Sequence, residues 1–341
     1  MIYTLTFSPA IDYVVYLDHM EPGATNRSLR ENYYYGGKGI NVSTILTRLG
    51  IENTALGFVA GFTGRELEQG LKKKGIHTDF IHLEDGITRI NIKLKTDRET
   101  EINTQGAAIT PDKLEELLVK LDDLKQEDIL VISGSVPNTL PDNIYEVILG
   151  RLEGRNVRYV VDAAGQLLKK VLKFRPFFVK PNLAELEELA GQKIKTDDDL
   201  REAAGRLQAL GAQNVLVSLG KDGAYLLCED GREYRMKAIP QKAKNTVGAG
   251  DSMVAGFLAG YLEKKDYQYA LEMGTAAGSA TACSDDLATR DKVMEFYQEL
   301  NLGNCETNFR EWRIEGKTLE KRSPKSSSDP RVRLRKENIM G

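Results

Sequence analysis

The stretch Asn245-Thr246-Val247-Gly248-Ala249-Gly250-Asp251-Ser252 runs straight into a helical apolar pattern, Met253-Val254-Ala255-Gly256-Phe257-Leu258. Small residues at a helix start let backbone N–H groups converge on an anion, and the helix dipole favours negative charge there. A phosphate suits such a loop. No Lys-Ser/Thr pair follows the glycines, so it is not a Walker A loop, and no G-x-G-x-x-G opens a first strand. Asp251, in the first turn, is placed to take a proton from a hydroxyl that attacks the phosphate. The plainer reading is that it complements the helix dipole.

Four more turns carry polar groups at the ends of strands. Gly36-Gly37-Lys38-Gly39-Ile40-Asn41 offers close backbone approach, a cation and an amide, although a tight turn with a solvated lysine explains it equally well. In Lys180-Pro181-Asn182-Leu183-Ala184-Glu185 the amide and the carboxylate lie three apart at a helix entry, on the carboxyl side of a strand, where ligands of open α/β sheets collect. Glu185 suits Mg²⁺, which keeps most of its water, and equally a common helix start. Ser133-Gly134-Ser135-Val136-Pro137 and Ser218-Leu219-Gly220-Lys221-Asp222-Gly223-Ala224 read by themselves as turns.

The elements that must position these groups are short β-branched runs alternating with amphipathic stretches, the pattern of a mostly parallel sheet covered by helices. Strands are expected at Ile2–Phe7, Thr54–Val59, Ile129–Ser133, Arg158–Asp162, Phe177–Lys180 and Val215–Leu219. Two segments break the alternation and predict exposed antiparallel pairs, Asp12–Leu17 with Leu29–Tyr35 and Thr88–Lys95 with Thr100–Gln105. Strict alternation in Arg89–Lys95 predicts one buried face and an opposite face carrying Arg89, Asn91, Lys93 and Lys95. These pieces, within about 12–35 and 87–105, make a small inserted sheet.

Composition narrows the classes. At roughly 150 residues per domain, 341 residues allow two domains or one large one. No apolar run approaches the ~20 residues a bilayer requires, and the first residues read as a strand rather than a signal peptide, so a cytoplasmic protein is expected. Cys228, Cys283 and Cys305 form no C-x-x-C pair, and the three histidines form no metal-spaced pair. From residue 302 onward there are 10 Lys or Arg against 6 Asp or Glu, and before it 37 against 44. The expectation is a domain at 1–301 followed by a basic, disordered tail at 302–341 with no specific nucleic-acid role.

In this order and spacing the five motifs resemble the ribokinase-like carbohydrate kinases, the PfkB family, from Ile2 to about Leu300. Gly36–Gly39 with Asn41, and the run from Asn245 to Asp251, are the family-specific pieces. The resemblance implies an α/β fold, a three-layer α/β/α sandwich with a small β-sheet lid. It implies that Asp251 is the catalytic base and that the backbone of Gly248, Ala249 and Gly250 is the anion hole for the γ-phosphate. Asp12, Gly37 and Asn41 would hold sugar hydroxyls. Arg27, Lys38, Arg89, Asn103 and Ser133 would complete the acceptor site, since a phosphorylated acceptor needs cations. Lys180, Asn182, Ser218, Gly220, Gly223 and Thr246 would lie along ATP, Ser279 in the segment 277–283 would flank the adenine, and Glu185 would serve Mg²⁺. The implied acceptor is a ketohexose phosphate, fructose 1-phosphate first, with tagatose 6-phosphate and then fructose 6-phosphate behind it. Family members pair through the lid, which implies a homodimer. A sugar-phosphate-binding regulator on the same fold would need a damaged base or anion hole, and both are intact. A dehydrogenase lacks its dinucleotide fingerprint.

Overall fold

The computed structural model describes residues 1–307, of which Met1–Gly303 form one compact unit. The first third of the chain holds β1 (Ile2–Thr6), β2 (Ala10–Tyr16), β3 (Arg30–Gly36), α1 (Lys38–Arg48), β4 (Asn53–Ala60), α2 (Gly61–Lys73), β5 (His77–Thr78), β6 (Ile81–Leu83), β7 (Arg89–Lys95) and β8 (Thr100–Ile102). The middle holds α3 (Pro111–Asp122), β9 (Ile129–Ser133), α4 (Ile144–Arg151), β10 (Arg158–Asp162), α5 (Gly165–Val171), β11 (Phe178–Val179), α6 (Leu183–Ala190), α7 (Asp197–Ala209) and β12 (Asn214–Ser218). It closes with β13 (Ala224–Leu227), β14 (Glu233–Met236), α8 (Ala249–Lys264), α9 (Tyr267–Ala282) and α10 (Arg290–Thr307). The expected tail lies outside the described residues beyond Thr307, and α10 runs across the boundary drawn at 301.

The main sheet has the order β14-β13-β12-β11-β10-β9-β1-β4-β5, with β6 also on β4. Its centre is parallel, and β13 and β14 close one edge antiparallel. Alternate residues of the apolar strands point to opposite faces, so each face needs its own cover. Leu5, Leu130, Ile132 and Val161 meet Leu117, Ile144, Leu168, Leu186 and Leu200 of α3 to α7. Ile2, Ile129, Val131 and Val160 meet Val42, Val254, Ala277 and Phe296 of α1, α8, α9 and α10. The three layers match the expected sandwich.

The second sheet, β3-β2-β7-β8, is the lid. Both antiparallel pairs form as expected, and a parallel pairing of β2 with β7 joins them into one sheet. The burial of β7 corrects the sequence reading: its polar side is the covered one. Asn91 is 6% exposed and Lys93 9%, while Ile92 and Leu94 stay half-buried. The cause is the partners on that side, because Asn91 donates to Asp12 Oδ1 at 2.8 Å and Lys93 to Glu101 Oε1 at 3.0 Å.

Candidate active site

Parallel strands β1, β9 and β10 end side by side at their carboxyl edges, in Thr6, Ser133 and Asp162, and the site gathers over that edge. This is where side chains of an open α/β sheet can converge on a ligand without breaking the ladder. Gly248, with φ of +77°, is the N-cap of α8, so the helix begins at Ala249, four residues before the apolar pattern that opens at Met253. That positive φ favours glycine, and a Cβ there would also press on Leu287 Cδ2 at 2.5 Å. The consequence is that the N–H groups of Ala249 and Gly250 stand at the open end of a long helix, with Asp251 in its first turn.

Asp251 is buried and accepts a hydrogen bond from Asn41 Nδ2 at 2.8 Å, so α1 and α8 meet at the carboxylate. Burial and the neighbouring Asp162 carboxylate push the Asp251 carboxyl up to about 6, against the pull of Asn41, Lys38 and Lys180. Burial would raise Asp162 as well, but the ammonium groups of Lys180 and Lys38 outweigh it and hold that carboxyl below its ordinary range. Asp162 carries the stronger claim to be ionised, and Asp251 the character of a base near neutrality. For Lys38 the charges of Asp162, Asp251 and Glu185 overcome desolvation and raise its pKa.

Gly37 caps α1 with φ of +119°, and a Cβ there would meet Thr6 Cγ2 at 2.8 Å and Pro9 Cα at 3.2 Å. The turn divides two cavities. One of about 260 Å³, lined by Asp12, Gly36, Asn41, Lys93, Lys95, Lys244 and others, lies under the lid. The other, about 500 Å³, is lined by Thr6, Gly37, Lys38, Arg89, Asn103 and Ser133 among others. Arg89 Nε donates to Ser8 O at 3.1 Å, which fixes the guanidinium at the lid's root. Thr6 and Ser133 of that lining also carry buried hydroxyls with no hydrogen-bond partner, at the carboxyl ends of β1 and β9. An unsatisfied buried hydroxyl costs about 1–3 kcal/mol, a cost this edge of the sheet carries twice.

The remaining site residues fall as follows. Arg27 sits on the exposed loop between β2 and β3, outside the linings of both cavities. Asn182 caps α6 through a reciprocal capping box, accepting from Glu185 N–H at 2.9 Å while its own N–H donates to Glu185 Oε2 at 2.8 Å. A parallel bridge pairs Asn182 with Ser218, which brings the end of β12 alongside. Gly220 and Gly223 shape the turn after β12, both with positive φ. Thr246 is exposed in the loop before α8, and Ala249 N donates to its carbonyl at 3.3 Å. Ser279 is half-buried in the last turns of α9, which the Ser252–Thr281 hydroxyl contact of 2.8 Å ties to the start of α8. Lys180 is buried, and a Cβ on Gly250 would stand 3.1 Å from its Nζ.

Sequence reasoning passed over Asp162 and Thr6. Both end apolar strands, and the signal for Asp162 was in view: a charged residue closing Arg158-Tyr159-Val160-Val161-Asp162 cannot enter the core and must face the edge.

Three layers, a lid, and a helix-capping glycine loop bearing a buried carboxylate together define a kinase fold built to move a phosphoryl group onto a small molecule's hydroxyl. The family model for pfkB family carbohydrate kinase matches residues 5–291. The chain belongs to that family and is a phosphotransferase acting on a sugar hydroxyl. It is 40% identical over 302 residues to a 1-phosphofructokinase of Bacillus subtilis strain 168, covering 89% of this chain and 99% of that one. It is 37% identical to a D-tagatose-1-phosphate kinase of Bacillus licheniformis, over 89% and 99% of the two chains. Among solved structures, phosphofructokinase-2 from Escherichia coli in complex with substrates and products superposes with a TM-score of 0.83 at 29% identity, covering 88% of this chain and 99% of that one. Among the described residues no helix is long and apolar enough to cross a membrane.

Proposed function

We propose that the protein transfers the γ-phosphoryl group of ATP to a hydroxyl of fructose 1-phosphate, giving fructose 1,6-bisphosphate. The observation that carries this reading is the pairing of a basic carboxylate at a glycine-loop helix start with a cavity lined by Lys38 and Arg89. A phosphate dianion would answer both cations. Asp12 and Asn41 would hold sugar hydroxyls, and Asp251 would accept the proton of the attacking one. The backbone of Gly248, Ala249 and Gly250 would meet the transferring phosphoryl, the Ala249 N–H exchanging its long contact with Thr246 O for it, where fixed donors act on developing charge. Lys180, Asn182, Ser218, Gly220, Gly223, Thr246 and Ser279 would lie along the nucleotide. The 40% identity to a 1-phosphofructokinase supports the choice of sugar.

Mg²⁺ fits this donor set. Only Oε2 of Glu185 is engaged in the capping box, which leaves Oε1 for a strongly hydrated ion that reaches a protein through one or two carboxylates. When bound, the ion would neutralise charge on the nucleotide phosphates. A cytoplasmic setting, where ATP is abundant, suits the reading and agrees with two buried free thiols, Cys228 and Cys283.

The relative named for tagatose acts on its 1-phosphate, so that sugar is the second acceptor to test, beside the tagatose 6-phosphate of the sequence reading. ADP release should be compared with fructose 1-phosphate, tagatose 1-phosphate, tagatose 6-phosphate, fructose 6-phosphate and ribose. The highest kcat/KM is expected with fructose 1-phosphate, and turnover of ribose alone, or of none, would overturn the proposal.

The outward face of the lid supports a homodimer. Tyr13, Tyr33 and Ile102 are 39%, 54% and 49% exposed, and with Val15, Leu17 and Leu94 they form an apolar surface on one sheet.

A further inference from the structure

The carboxylate of Asp162 has no role in the reaction assigned above, yet two of the site's lysines converge on it. Lys38 Nζ lies 3.3 Å from Oδ2 and Lys180 Nζ lies 3.4 Å from Oδ1, so each oxygen faces one ammonium group. The three residues come from separate elements: Asp162 ends β10, Lys38 opens α1, and Lys180 follows β11. The Asp162 and Lys180 side chains are nearly inaccessible, at 2% and 6%, whereas Lys38 remains 42% exposed toward the cavity. A Cβ on Gly250, the residue next to Asp251, would stand 3.1 Å from Lys180 Nζ, so Lys180 lies close beside the glycine loop. Asp162, Asp251, Lys38 and Lys180 thus bring two charges of each sign together, with Glu185 acting on Lys38 from α6.

We propose that Asp162 is a positioning residue that holds Lys38 and Lys180 at the mouth of the glycine loop, where their charge can meet incoming phosphates, and that its own charge keeps those lysines from weakening the base. This rests on the reading of Asp251 as that base. Two unopposed ammonium groups beside Asp251 would stabilise its ionised form and make it a poor proton acceptor. The groups facing Asp251 are Asp162 from β10, Lys38 and Asn41 from α1, and Lys180 after β11, and of these only Asp162 acts to raise its basicity. One carboxylate thereby separates two needs that conflict: cations for the phosphates and a base for the hydroxyl.

The test is the pH dependence of kcat/KM, whose acid limb reports the essential base of the free enzyme, measured for the wild type, Asp162→Asn, Asp162→Glu and Asp251→Asn. In Asp162→Asn the acid limb should move down by about one pH unit, as loss of a neighbouring like charge requires. Its kcat should fall by roughly 10- to 100-fold, on the scale of misplaced positioning groups. A carboxylate that merely supports the fold would lower the yield of active protein and leave the limb in place, and an unmoved limb overturns the proposal. If Asp162→Asn does not fold, Asp162→Glu decides: it keeps the charge and shifts the lysines, so the limb should stay while kcat drops about tenfold, and a wild-type kcat would overturn the proposal. Wild-type turnover by Asp251→Asn would remove the base reading itself. An inactive Asp251→Asn beside an unmoved limb in Asp162→Asn would remove only the role of Asp162.

Discussion

Asp251, the base of the proposed reaction, joins reactivity to instability at a single residue. Its carboxyl is pushed up to about 6 by burial and by Asp162, so turnover should decline as pH falls through that value and the base takes up its proton. Asp251→Asn should lower kcat by ~10²- to 10⁴-fold with little change in sugar binding, which single-turnover and binding measurements would separate. The same shift has a cost in the fold. The native state keeps this proton up to about pH 6 while the unfolded chain releases it near 3.8, so between those values stability falls as pH rises, and the full penalty persists above 6. At pH 8 that penalty is of order 3 kcal/mol. Asp251→Asn should therefore raise Tm clearly at pH 8 and hardly at pH 4, and equal shifts at both would show that the carboxyl is not strained.

At the scale of elements, the proposed reaction gives the lid strand β7 the task of reading the acceptor. Its first residue, Arg89, is tied to Ser8 O and lines the larger cavity with Lys38, Asn103 and Ser133, whereas Asn91, Lys93 and Lys95 are spent on Asp12, Glu101 and Glu99. One cation on this strand is thus left for a ligand at the sheet edge. A hydrogen bond to a charged group contributes about 1.5–3 kcal/mol, so Arg89→Ala should raise KM for the phosphorylated sugar roughly 10- to 100-fold at near-constant kcat. An unchanged KM would place the sugar phosphate elsewhere. The alternation along β7 was legible in the sequence, but not which side would be covered. A period of two defines two faces and leaves the choice between them to what each face meets.

For the whole molecule, the two faces of the lid have different neighbours, and the outer one carries the apolar exposure. Tyr33→Asp, at the most exposed of its aromatic positions, should convert a dimer to monomers in sedimentation experiments. A wild-type chain that is monomeric at micromolar concentration would end the dimer reading. The layers follow from the main sheet itself, because its strands β1 and β9 to β13 send alternate residues into two separate cores.

The sequence by itself determined the three layers and the inserted sheet, and it put in view the candidate pieces around Asp251, Gly37–Asn41 and Asn182–Glu185. Those depend on local periods, turn residues and helix starts, which neighbouring residues specify. Only the tertiary structure decided that β2 pairs with β7, that the polar side of β7 is the covered one, and that Asp162 lies between Lys38 and Lys180. Each of these joins residues about 80 to 124 apart along the chain or sets one buried charge against others. The energy of such a cluster depends on distance and burial among all its members, and no local pattern encodes either.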